Sequence, residues 1–112
     1  MLRNTAREIA IHLSYELSFN NTPIDTLLDQ RLTAETFSAL AEEDPVYAEA
    51  PNAKQAAYIR RLVKGVDDHA AELDSYISKY AKGWNFDRIP LVASAIMRVA
   101  MYEVLYMPDI PN

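Results

Sequence analysis

Two arginines, Arg3 and Arg7, stand four residues apart near the start of the chain and can face one run of phosphates from a single helix. A second basic group, Lys54, Arg60, Arg61 and Lys64, falls in the middle. Either cluster could instead be an ordinary solvated face, which is the commoner fate of surface charge. Grip on a single-stranded RNA would come from such cations on phosphate, and sequence preference from stacking or base edges. Catalysis has little to work with. His12 and His69 are far apart, and a lone histidine on a helix is more often a surface or interface residue than a metal ligand. The acids Glu42, Glu43 and Asp44 are consecutive in a proline-containing stretch, so they do not converge on one substrate atom. Two isolated glycines cannot form a phosphate-cradling loop, and the absence of cysteine excludes disulfides, thiolate metal sites and cysteine nucleophiles. No metal and no cofactor is expected. The residues read as a helical binding module.

The elements that must hold these residues follow from periodicity. The 112 residues suit one domain, and half of them are hydrophobic. Thr5 to Glu8 has the form of a capping box, which predicts a helix from there to about Phe19. Ala6, Ile9, Ala10, Leu13 and Leu17 form one apolar face. Ile11, Tyr15 and Phe19 form another nearly opposite, so the helix should be held between two layers with Arg3 and Arg7 reaching solvent at its free end. Thr22-Pro23 starts a second helix with Ile24, Leu27, Leu28 and Leu32 inward. Thr33 starts a third with Phe37 and Leu40, and residues 42–52 form a loop pinned by Val46 and Tyr47. Asn52 to Gln55 is a second capping box. It opens a helix that buries Ala56, Ile59, Leu62, Val63 and Val66, with Gly65 marking a bend or close packing. Asp67 or Asp68 should cap a further helix carrying Ala70, Leu73, Ile77 and Tyr80 and ending at Gly83, with Trp84 and Phe86 filling the gap beyond.

From Pro90 to Met107 the chain is apolar almost all round, capped by Asp87 and stopped by Pro108 and Pro111. Such a helix should be enclosed by others, with Ser94, Arg98, Tyr102 and Tyr106 as a polar ridge. Arg98 and Glu103 inside it argue against a membrane span, and a charge on an enclosed helix is normally paired. The fold class is all-α. No secretion signal precedes it, which predicts a cytoplasmic protein. Net charge is −5, against bulk electrostatic binding of nucleic acid. The charge is uneven, however: from Pro23 to Asn52 seven acids stand against Arg31 alone, while from Ala53 to Pro90 seven bases outnumber five acids.

Three segments carry a resemblance. AREIAIHLSYELSF resembles the first helix of the NusB transcription antitermination family, and YIRRLVKGVDDHAAELDSYI its middle helix pair. RIPLVASAIMRVAMYEVLYMPDIPN is similar to its helix with the isoleucine-(leucine or methionine)-arginine and tyrosine–glutamate motifs and the isoleucine–proline turn. Together they span nearly the whole chain in the family's order. The resemblance implies two small helical bundles sharing the first helix, about 1–50 and about 53–112, within one RNA-binding domain, 1–112. It also implies a non-catalytic protein that binds boxA RNA together with the ribosomal protein NusE and helps the RNA polymerase elongation complex read through terminators, especially in ribosomal RNA operons. The family's RNA-touching arginines map onto Arg3 and Arg7, with Lys54, Arg60, Arg61 and Lys64 as a second patch. Asn4 and Thr5 stand where relatives often have further bases, so weak RNA affinity is expected of the chain alone. Ala93 stands where relatives commonly carry an acid used toward the protein partner. Relatives continue past the isoleucine–proline turn with two more helices, whereas this sequence stops at Asn112, a good N-cap. An incomplete second bundle would expose part of the Pro90 helix and favour a homodimer or element swap through it. Competing readings are the NusB-like accessory domain of an RNA cytosine methyltransferase and a purely structural helical oligomer.

Overall fold

The computed structural model describes residues 1–80 and 90–110. Its elements, in order, are α1 (Arg3–Leu17), α2 (Ile24–Arg31), α3 (Ala34–Leu40), a 3-10 turn (Pro45–Tyr47), α4 (Ala53–Asp68), α5 (Ala70–Tyr80) and α6 (Leu91–Tyr106). No strand occurs among the described residues, and none of their helices is long and apolar enough to cross a membrane. The predicted stop at Gly83, the Trp84–Phe86 filler, the Asp87 cap, Pro111 and Asn112 lie outside the described residues.

Local signals hold where a side chain can close the helix end by itself. Asn52 and Gln55 make the reciprocal pair of a capping box, with Asn52 Oδ1 accepting from the Gln55 amide at 2.8 Å and Gln55 Oε1 from the Asn52 amide at 2.9 Å. Thr33 Oγ1 accepts from the Thr36 amide at 3.1 Å and starts α3. Asp44 caps the 3-10 turn through the Val46 amide, and Tyr47 packs edge-on against Phe37, which pins the 42–52 loop as its composition requires.

Four helix starts differ from expectation. α1 begins at Arg3 with Leu2 in the N-cap position and no side-chain cap, so Thr5 is already inside the helix. Just before it, Met1 is held by its amino group on Glu49 and by its carbonyl, which accepts from Gln55 Nε2 at 2.9 Å. Pro23 and Pro90 occupy N-cap positions themselves instead of the first turn. α4 runs through Asp67 and Asp68, and His69 forms the junction: its amide donates to Gly65 O and its carbonyl accepts from Leu73 N.

α1 packs chiefly on α4 and α6, and α5 on α6. The stripe Ala6, Ala10 and Ser14, at i+4, is buried and brings α4 and α6 close to the α1 backbone. Ile9 and Leu13 turn toward α3 and Phe37, so one continuous core joins Ile9 and Leu13 to Leu28, Phe37, Ile59, Leu62, Val63 and Val99. α1 is thus flanked on two sides: the first predicted face, Ala6, Ile9, Ala10 and Leu13 with Leu17 half-buried, is covered, but the second is not. Ile11 is half-buried, while Tyr15 and Phe19 lie exposed and meet each other edge to face at 5.0 Å. The second flank uses the side of α1 next to the first, where Ile9 and Leu13 already point, leaving the opposite side to solvent.

α6 corrects a second expectation. Its polar ridge faces inward: Ser94 and Tyr102 are buried, and Arg98 grips Asp74 of α5 with Nε and a terminal nitrogen at 2.6 and 2.7 Å. The Tyr106 hydroxyl donates to Glu72. Leu91, Val92, Ile96, Val104 and Leu105 are exposed instead, so the helix is not enclosed among the described residues. Arg98 and Tyr106 can turn inward because each meets a carboxylate of α5, and the ring of Tyr102 fits over Gly65.

Candidate functional site

The first turns of α1 and α4 lie side by side, and this sets the fate of the predicted basic residues. Arg7 does not reach freely into solvent. Its Nε and one terminal nitrogen both donate to Glu103 of α6, the latter at 3.1 Å, and its other terminal nitrogen donates to Asn4 at 2.7 Å. Glu103 is only 4% exposed and also accepts from the Tyr58 hydroxyl at 2.9 Å. One carboxylate therefore ties α1, α4 and α6 together. The guanidinium finds this buried acid because α6 crosses α1 at its first turns, and charge-assisted bidentate bonds offset the desolvation.

The second basic cluster is largely neutralised. Arg60 pairs with Asp29 at 2.8 Å, Arg61 with Asp109 at 3.3 Å and Lys64 with Asp25 at 2.9 Å. Asp109 is held below its usual range first by Arg61 and more weakly by the charge of Arg3.

Arg3 and Lys54 remain. Both are exposed, and neither holds a hydrogen bond or ion pair among the described residues. They share the wall of a groove of about 230 Å³ with Met1, Leu2, Tyr58 and Ile110. The groove is mostly apolar with two exposed cations, an arrangement that can hold an anion at the wall and a flat apolar group against Tyr58. Tyr58 and Glu103 were not singled out as site residues from sequence. A signal existed for Glu103, a lone acid in an apolar helix that needs a cation; none existed for Tyr58.

The same clamp perturbs Tyr58. Burial first, then its bond to the Glu103 carboxylate, pushes the phenol up to about 12. A raised folded-state value means the stabilisation is intact below the ordinary tyrosine range and is lost as pH rises from about 10 through 12, because the unfolded chain ionises first. Tyr106 and Tyr47 are also raised, so phenolate absorbance in an alkaline titration should show several tyrosines later than a free one, and Tyr58→Phe should remove one of them. A titration unchanged by that substitution would remove Tyr58 from the clamp.

The other candidates have structural partners. His12 Nδ1 and the Tyr47 hydroxyl are hydrogen-bonded at 2.8 Å, and His69 Nδ1 is 2.9 Å from Gly65 O. Glu42 and Glu43 point outward while Asp44 serves as a cap. No group of three potential metal ligands converges among the described residues.

Comparison with known proteins gives the context. The NusB family model matches residues 4–112. The transcription antitermination protein NusB of Symbiobacterium thermophilum is 35% identical over the whole of this chain and 69% of its own length. Those of Carboxydothermus hydrogenoformans and Bacillus subtilis are 36% and 32% identical over 98% and 99% of this chain, covering 70% and 71% of theirs. These relatives are named for a role in transcription and not for a reaction. The all-helical fold, the order of its segments and these matches over nearly the whole of this sequence agree: the chain belongs to the NusB family of transcription antitermination proteins.

Proposed function

We propose that this chain acts in the cytoplasm as a transcription antitermination factor, binding boxA-type single-stranded RNA together with the ribosomal protein NusE at the RNA polymerase elongation complex. The family supports the role, and one observation of the structure carries the contact: Arg3 and Lys54 stand unpaired on a groove that also offers Tyr58. Phosphate charge would be met by the two cations and a base by the apolar wall. Arg7 serves differently in this reading. Bound to Glu103, it fixes the first turn of α1 and so the direction in which Arg3 points. The division into units of about 1–50 and about 53–112 belongs to the same proposal. With only two free cations in the groove and a net charge of −5, affinity without the ribosomal partner should be weak.

Fluorescence anisotropy of a labelled boxA RNA, with and without NusE and across a salt series, tests it. Each phosphate contact on a single strand contributes about 0.7 to the salt slope. Arg3→Ala and Lys54→Ala should each flatten the slope by about that amount, and the double substitution by about twice as much. Lys64→Ala, whose cation is already spent on Asp25, should leave it unchanged. Arg7→Ala should weaken binding only together with a loss of folding stability. If the double substitution left slope and affinity untouched, the groove would not be the RNA site.

A further inference from the structure

Toward the other end of α1 lies a second and larger concavity, about 570 Å³, bounded by α1, α2, α3 and the 3-10 turn. That volume is within the range of sites that enclose a ligand or anchor side chains, roughly 300–1,000 Å³. Its floor is apolar: the half-buried Leu32 and Leu40 are the accessible part, over the core residues Ile9, Leu13 and Phe37, which are almost fully covered. The charges around it are not balanced. Glu16 and Arg31 neutralise each other through two hydrogen bonds at 3.1 and 2.7 Å. Asp44 is used as a cap, and the Glu43 side chain is exposed with no partner among the described residues. Of the seven acids between Pro23 and Asn52, Asp25, Asp29 and Glu49 are ion-paired, which leaves Glu35, Glu42, Glu43 and Asp44 without a basic partner among the described residues. Glu16 lies some 20 Å along α1 from Arg3 by helical rise, so this acidic groove is well separated from the basic one.

We propose that this groove docks a basic amphipathic segment of a protein partner, its apolar side chains against Leu32 and Leu40 and its lysines or arginines beside Glu43 and Asp44. Charge complementarity selects this occupant. A nucleic acid would meet carboxylates at the rim, and an acidic peptide would meet the same repulsion. Helix-in-groove recognition needs an apolar trough that accepts residues one turn apart, with the partner's polar face left at the rim. The groove supplies the trough and an acidic rim. This surface is independent of the RNA contact at Arg3 and Lys54, and the two could be occupied together.

The probe is a synthetic peptide of about 18 residues, long enough to hold some helix in water, with leucines on one face and lysines elsewhere. Two controls go with it, one with the lysines replaced by glutamate and one of the same composition with the leucines scattered. Amide chemical shifts of the full chain are followed by NMR during titration. Binding of the lysine peptide should move the amides of Ala39, Leu40, Glu43 and Tyr47 and be salt-sensitive, and both controls should bind at least tenfold more weakly. Ala39→Trp fills the trough from an exposed helical position and should abolish the shifts. Glu43→Lys reverses an exposed, unpartnered charge and should weaken binding about fivefold or more. That second variant keeps the test valid should the tryptophan disturb folding. The proposal is overturned if shifts map instead to the exposed side of α6, if either control binds equally well, if Glu43→Lys has no effect, or if no shift appears at millimolar peptide.

Discussion

Glu103→Ala should be among the most damaging single changes in this chain, lowering folding free energy by about 3 kcal/mol. Removing one partner of a buried ion pair typically costs roughly 3–5 kcal/mol because the other charge is left desolvated and alone. The lower end applies here, since the Arg7 side chain retains 25% exposure and water can reach part of the guanidinium. The Tyr58 hydroxyl would lose its acceptor in the same step. Glu103→Gln keeps an acceptor oxygen of nearly the same shape and should cost only about 1 kcal/mol, the scale of a weakened hydrogen bond. Replacing Arg7 and Glu103 together by methionine should restore much of the loss, because no uncompensated charge remains. Urea denaturation midpoints for the four proteins check the series. A loss below about 1 kcal/mol for Glu103→Ala would mean that the three-helix clamp is held by apolar packing alone, and that Arg7 is free to serve RNA directly.

That series also shows what the sequence could and could not disclose. Helix ends closed by their own side chains, at Asn52 and Thr33, were legible because every atom involved lies within four residues. The start of α1 was not, because no side chain caps it, and the bonds that hold the chain just before it, from Met1 to Glu49 and from Gln55 to the Met1 carbonyl, span about fifty residues. The sidedness of α6 was hidden for a different reason. With apolar residues on every side, its composition cannot choose an inward face, and the choice falls to Asp74 and Glu72 on α5, which accept from Arg98 and Tyr106. The candidate site follows the same rule. Six cations were visible as cations, but only long-range neighbours decide which are spent: Glu103 meets Arg7 across 96 residues, and Asp109 meets Arg61 across 48. Pairing at such separations has no periodic signature. The groove at Arg3 and Lys54 is therefore a product of folding, although both of its cations could be named in advance.

Gly65→Ala should cost about 2 kcal/mol, although alanine is the better helix former and would itself return about 1 kcal/mol inside α4. The added methyl would overlap the Tyr102 ring, coming within 2.6 Å of Cε1 and closer still to Cζ and the hydroxyl oxygen. Overfilling a packed core ordinarily costs roughly 1–3 kcal/mol, and this overlap belongs at the upper end or beyond because the ring cannot easily swing away. Tyr102 is 8% exposed, stacks on Tyr106 at 5.1 Å and tilts against His69 at 5.7 Å, while His69 is itself bonded to the Gly65 carbonyl. In thermal unfolding the loss should appear as a fall of about 8 °C for a chain of this size. A double-substitution cycle separates the causes. Tyr102→Leu should be destabilising in the parent but nearly neutral or favourable beside Gly65→Ala, because the shortened side chain vacates the space that the methyl needs. Additive effects, or a Gly65→Ala protein as stable as the parent, would show that the ring and the α4 backbone do not meet as closely as described, and the inward-facing polar ridge of α6 would lose its main steric reason.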